Sequence, residues 1–138
     1  MQKISLTEVE YISFELAKDL LKYDEPIPDF ATRFPNILES CLAVPFQSFD
    51  GKSFYSGLLG KASVLFYLMV KNHPIENGNK RIAITTLLVF LHKNNKWLKV
   101  DNQELYNFAV WVAQSPAKLK SEVTDGINKF LKTYLVNK

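Results

Sequence analysis

The apolar positions of the chain fall mainly into helical periods. Val9, Ile12, Leu16 and Leu20 recur at three- and four-residue steps, which predicts an amphipathic helix over Leu6–Lys22. Ser5 and Glu8 stand at capping-box spacing at its start. Pro26 and Pro28 interrupt the pattern, so Tyr23–Phe30 is expected as a loop. A second helix is predicted over Phe34–Val44, opened by Pro35, whose missing N–H is no loss in a first turn, and closed before Pro45. Leu58–Lys71 and Lys80–Lys93 differ from these. They are apolar on nearly every side, which marks helices buried at the centre of a bundle. Pro74 limits the first of them, because a residue before proline avoids the helical region. Asn79 is the expected N-cap of the second. Asp101 with Glu104, and then Ser115-Pro116, mark the starts of two further helices, the last running to about Leu135.

Two stretches break the helical period. Phe46–Tyr55 mixes aromatic residues with turn formers, and Asp50-Gly51 flanked by Phe49 and Phe54 predicts a small hairpin or extended flap. Trp97–Val100 is expected as a short strand. The fold class predicted is all-α, a helical bundle with one small β-hairpin flap, in a single domain over residues 1–138.

Composition narrows the function classes. With 47% hydrophobic and 22% charged residues, the chain can build a core and is not a disordered tail. The net charge of +3 is mild, and the lysines at 93, 96, 99, 118 and 120 are expected as solvated faces, with no nucleic-acid partner. The longest apolar run, Ile82–Leu91, is too short to span a bilayer, so no membrane partner is expected. Met1–Glu10 is polar, and a cytoplasmic location is expected. The one cysteine, Cys41, lies on an apolar helix face and is expected to be a buried, inert thiol. His92 near a helix end suits the dipole there and is expected at the surface.

The segment His73-Pro74-Ile75-Glu76-Asn77-Gly78-Asn79-Lys80-Arg81 concentrates the chemistry. It places a titratable base, amides, a glycine and two cations where a helix begins, and the first N–H groups of a helix favour anions. His73 can accept a hydroxyl proton, since a free imidazole titrates near pH ~6.5. Gly78 would let the backbone approach a ligand, Asn79 would cap the helix and orient the loop, and Lys80 and Arg81 would supply charge to phosphate oxygens. Asn77 or Glu76 could offer oxygen to magnesium. On spacing alone the same residues also make an ordinary turn into a surface helix.

The same nine residues resemble the central motif of the Fic/Doc superfamily, in which His-Pro-Phe is followed by a variable residue, an acid, Gly, Asn and then Gly-Arg or Lys-Arg. The Asn-Lys-Arg ending is closest to the Doc (death-on-curing) branch. The likeness extends over about Phe34 to Asn95, including Ile37-Leu38-Glu39-Ser40, Pro45–Gly51 and Phe54-Tyr55. The resemblance implies an all-helical fold and a nucleotide-dependent transferase. It makes His73 the base, Gly78, Asn79, Lys80 and Arg81 the phosphate site, and Phe49, Asp50, Gly51 and Lys52 a flap that holds the target as an added strand. ATP as substrate and Mg²⁺ as cofactor are implied, with a cognate antitoxin and a protein target such as elongation factor Tu as partners. Asn77 stands where an acid normally holds magnesium, Ile75 replaces phenylalanine, and Lys80 replaces the second glycine of typical Fic members. Lys80 would crowd the nucleotide's inner phosphates, which favours phosphate transfer over AMP transfer. A partner-binding module without turnover is the alternative that Asn77 supports. Ser121 with Asp125-Gly126 faintly resembles an inhibitory motif of self-regulated Fic proteins.

Overall fold

In the computed structural model, residues 1–20 and 26–138 are described. Ser5 caps α1 (Leu6–Glu8) in a complete capping box, its hydroxyl accepting from the Glu8 amide and the Glu8 carboxylate accepting from the Ser5 amide. A π-helical turn, Val9–Ser13, follows and runs into α2 (Phe14–Asp19). The expected face of this helix is corrected by that turn. The π turn's wider hydrogen-bond ring carries one extra residue, so Val9, Ser13, Phe14 and Ala17 point inward while Ile12 is 45% exposed. The expected helix end at Leu21–Lys22 and the loop residues 23–25 lie outside the described residues.

Pro35 opens α3 (Pro35–Ala43) at its first turn, as expected, and the helix buries Leu38, Cys41 and Leu42. After a 3₁₀ turn, β1 (Ser48–Phe49) and β2 (Lys52–Ser53) form the expected hairpin, with Ser48 opposite Ser53 and Phe49 opposite Lys52. Asp50 and Gly51 both take positive φ, 55° and 75°, the two-residue turn whose twist matches paired strands.

The centre is α4 (Gly57–Lys71) packed on α5 (Asn79–Lys93). Every residue from Lys61 to Val70 and from Arg81 to Leu91 is buried, as their all-round apolarity predicts. Then come β3 (Lys96–Leu98), α6 (Asn102–Gln114), α7 (Lys120–Tyr134) and β4 (Leu135–Asn137). Asp101 caps α6 by accepting from the Gln103 and Glu104 amides. α7 buries Val123, Ile127 and Leu131 against α4. The chain end differs from expectation. Leu135–Asn137 leaves the helix and pairs antiparallel with β3, Trp97 opposite Val136, so a second small sheet joins the hairpin. No helix among the described residues is long and apolar enough to cross a membrane.

Candidate active site

The α4–α5 connection holds the motif between the two most buried helices of the protein. Asn72 caps α4, and His73 follows at φ +50°. Helices often end with one residue in this left-handed region, and it is usually glycine because a Cβ there is strained. His73 is exposed at that position, so its ring is presented to solvent by a costly backbone. Pro74 and Ile75 turn back into the core, and Ile75 is 1% exposed. Ile75 is thus the apolar anchor of the loop. The Pro74 carbonyl accepts from the Phe34 amide at 2.9 Å, which fixes the loop to the start of α3.

Asn79 clasps the loop from within. It is 8% exposed, its Oδ1 accepts from the Ile75 amide at 3.1 Å, and its Nδ2 donates to the Ile75 carbonyl at 2.9 Å. These two bonds fix the orientation of the amide, which leaves Nδ2 3.5 Å from His73 Nδ1. The cap expected of Asn79 is corrected: Gly78, at φ +73°, is the N-cap, and its carbonyl accepts the first helical bond from Ile82 at 3.0 Å. Asn79 is already helical and orients the loop. The space at Gly78 is filled by the chain itself, since a Cβ would meet Ile27 Cδ1 at 3.0 Å. The glycine therefore serves the turn and the packing of Ile27 over it.

His73, Glu76, Asn77, Asn79 and Lys80 line one cleft of about 240 Å³, closed at the back by Val70 and Ala113. Beside it, Lys71 donates to the carbonyls of Ala113, at 3.2 Å, and Ser115. That ammonium covers the negative C-terminal end of α6, which would otherwise face the cleft unscreened. Lys80 brings its charge from the first turn of α5 and has no hydrogen-bond or ion-pair partner among the described residues. Asn77 Oδ1 is buried with no partner, an orphan acceptor that costs about 1–3 kcal/mol.

Arg81 is not in this cleft. It is 3% exposed, and its Nε donates to the Leu20 carbonyl at 3.1 Å while Nη2 donates to the Ala17 carbonyl. The arginine holds the last carbonyls of α2 and so attaches that helix to the start of α5. Nothing in the motif's spacing signals this, because the partners lie 61 and 64 residues away.

The hairpin residues Phe49, Asp50, Gly51 and Lys52 are exposed, Phe49 at 71%. Just past the hairpin, the Tyr55 carbonyl accepts from Lys61 Nζ at 2.6 Å, in the first turns of α4. From there to Lys71 the helix runs about 15 Å toward the motif.

The discounted residues fall elsewhere. Cys41 is fully buried, and burial pushes its thiol up to about 11. His92 is exposed at the end of α5, with Nε2 2.8 Å from Lys138 Nζ. Ser121 and Asp125 line a separate cleft with Tyr55, Val64, Lys120 and Thr124.

A metal is testable by the donor set. The described residues hold no group of three or more His, Cys, Asp or Glu side chains that could ligate one. One orphan amide oxygen beside one exposed carboxylate, Glu76, fits an ion carried mainly by phosphate oxygens and water, as magnesium commonly is.

The Fic/DOC family model matches residues 3–91, well over half of the chain. Over 65 residues the chain is 34% identical to "Toxin Doc" of Mycolicibacterium smegmatis (strain ATCC 700084 / mc(2)155), covering 47% of this chain and 50% of the relative. The chain thus spans about half the length of the curated relative it matches. No solved structure matches it.

Proposed function

Since the chain belongs to the Fic/DOC family, we propose that it is a Doc-like toxin that transfers the terminal phosphate of ATP to a Ser or Thr hydroxyl of a target protein. The observation that carries this reading is the pairing of an exposed histidine, held in a strained turn, with an unpaired lysine across one small cleft.

In this reaction the target hydroxyl loses its proton to the His73 imidazole as its oxygen attacks the γ-phosphorus. The new O–P bond forms while the bond to the bridging oxygen breaks, and ADP leaves with that electron pair. Asn79 Nδ2 lies 3.5 Å from His73 Nδ1, an arrangement that suits the tautomer with its proton on Nε2 and a lone pair on Nδ1. The Nδ1–H tautomer is the one that accepts a proton at Nε2, and it requires the ring to turn away from the Asn79 N–H, a 3.5 Å contact that is weak to lose. Lys80 and the first amides of α5 hold phosphate charge. Magnesium, when bound through Asn77 and the phosphates, neutralises phosphate charge.

Arg81 acts through structure in this proposal: with its guanidinium on α2 carbonyls, it fixes the helix that carries Lys80. Lys80 also favours phosphate over AMP transfer in this proposal, because its side chain, which lines the cleft, would crowd an inner phosphate. A target strand laid along the exposed hairpin edge would gain main-chain hydrogen bonds. A cognate antitoxin as partner, with elongation factor Tu as a candidate target, belongs to the same reading.

The test is labelling of a cell lysate by the pure protein with Mg²⁺ and either γ- or α-labelled ATP. Protein label from the γ position alone supports phosphate transfer. Label from the α position alone replaces it with AMP transfer. Asn77, a neutral oxygen in place of an acid, favours a second reading, a binding module without turnover. Calorimetry decides that point: no ATP binding in Mg²⁺ and no gain in Asn77→Asp would support the module.

A further inference from the structure

We propose that the cleft between α3 and the end of α4 seats the target side chain that flanks the acceptor hydroxyl, and that it selects a neutral polar side chain with a short apolar stem. This rests on the transfer reaction proposed above. The cleft, about 350 Å³, is lined by Asn36, Ile37, Ser40 and Asn72. It is adjacent to the reacting histidine by construction. Asn72 immediately precedes His73, and the Phe34–Pro74 hydrogen bond fixes the start of α3 to the motif.

It shares no lining residue with the His73–Lys80 cleft, which opens between the ends of α4 and α6. That separation matters for an in-line displacement, in which the attacking oxygen enters opposite the leaving oxygen. The acceptor hydroxyl meets the phosphorus beside His73 in the His73–Lys80 cleft, and its chain leaves that cleft past Asn72, the residue that precedes His73. In an extended segment each residue advances about 3.3 Å, so a neighbour of the acceptor falls over this cleft.

The lining sets the chemistry. Asn36, Ser40 and Asn72 offer two carboxamides and a hydroxyl whose side chains have no hydrogen-bond partner among the described residues. Ile37, 37% exposed, supplies the apolar wall, and Phe34, 46% exposed, extends that apolar surface along α3. No charged residue lines the cleft, so an acidic or basic side chain would lose water without gaining a counter-charge. The hairpin, at the other end of α4, is placed to hold only a more distant stretch of the target backbone, whereas this cleft reads the side chain beside the acceptor.

Ser40→Trp tests the proposal by filling the cleft from an exposed position of α3. In the full chain, label transferred from γ-labelled ATP to lysate protein should fall about tenfold or more, the loss of one well-seated side chain. Affinity for a non-hydrolysable ATP analogue, read by calorimetry, should stay within about twofold. Wild-type labelling by the variant overturns the proposal, as does an equal loss of nucleotide affinity. Should Ser40→Trp fail to fold, Ile37→Glu at the rim provides the same readout. If the wild-type protein itself labels nothing with either nucleotide, the transfer reading has failed and the cleft assignment falls with it.

Discussion

The two central helices end in the same conformation and with different residues. α4 closes with Asn72 and then His73 at φ +50°, and α5 closes with Asn94 and then Asn95 at φ +63°. Asparagine enters the left-handed region readily, because its short amide can bond locally. Among the described residues the His73 ring makes no such bond to neighbouring backbone, its polar contact being the long one to Asn79. The two ends also share a device, an asparagine that binds a neighbouring backbone with both side-chain atoms. Asn94 accepts from the Gln2 amide at 2.8 Å and donates to the Gln2 and Phe90 carbonyls at 2.9 Å. Asn79 does the same to Ile75, but with its Nδ2 also facing His73. The α5 end is satisfied throughout: Lys93 binds Glu8 and the Lys3 carbonyl. The α4 end keeps a strained histidine and an orphan Asn77 oxygen. Such strain persists where a function selects it.

The largest effect expected from breaking this comparison is on transfer. His73→Ala should lower label transfer by about 10²–10⁴-fold, the usual contribution of a general base, while Asn95→Ala leaves it unchanged. Equal transfer by the histidine variant would remove the catalytic assignment.

The asparagine pair comes next. Asn79→Ala and Asn94→Ala should each cost roughly 2–3 kcal/mol in urea unfolding, since each strands backbone groups that had partners. Only Asn79→Ala should also reduce transfer in the fraction that remains folded. A loss of transfer in both would make the effect general instability and dissolve the distinction between the two ends.

Two smaller changes sharpen the α4 end. Asn77→Asp replaces the neutral oxygen with an anionic one, and its Mg²⁺-dependent ATP affinity should rise about tenfold by titration calorimetry, on the order of 1.4 kcal/mol. An unchanged affinity would mean that residue 77 does not reach the ion. His73→Gly should stabilise the protein by about 1 kcal/mol through relief of the left-handed turn while leaving transfer as low as in the alanine variant. Lower stability in His73→Gly than in His73→Ala would show that the turn carries no strain.

How much of this was legible in the sequence differs by kind of interaction. Local signals read correctly: the Ser5–Glu8 box, Pro35 at a first turn, the Asp50-Gly51 hairpin and the all-round apolarity of α4 and α5. Each is decided by residues a few positions apart. The π turn was not legible, because Ile12 fits an ideal period that one extra residue shifts outward. The β3–β4 pairing joins segments that carry no mutual signal in one chain. At the site, the motif showed which residues gather, and the family resemblance gave them roles. The assignment of Arg81 to phosphate could not be checked from the motif, because its carbonyl partners belong to a helix distant in sequence. Nor could the cap be assigned between Gly78 and Asn79, since both residue types serve there and only backbone torsion separates them.

The smallest effect lies at the satisfied end. Burial raises the Glu8 carboxyl, but the Lys93 ammonium and the Ser5 amide and hydroxyl outweigh it and hold the group below its ordinary value. A lowered carboxyl stabilises the fold above its unfolded value, near pH ~4.3, and that stability is lost as pH falls through the lower folded value. Glu8→Gln should therefore cost about 0.5 kcal/mol at neutral pH, the charge of a partly exposed pair, because glutamine keeps the capping box. The difference from wild type should shrink as the acid limb of a pH-dependent unfolding series is crossed. No corresponding acid loss of stability is expected from the α4 end, where no carboxylate is paired among the described residues. A Glu8→Gln deficit that persisted unchanged at low pH would mean that the charge on Glu8 contributes nothing, and that the α5 end is held by its asparagine clasp and packing alone.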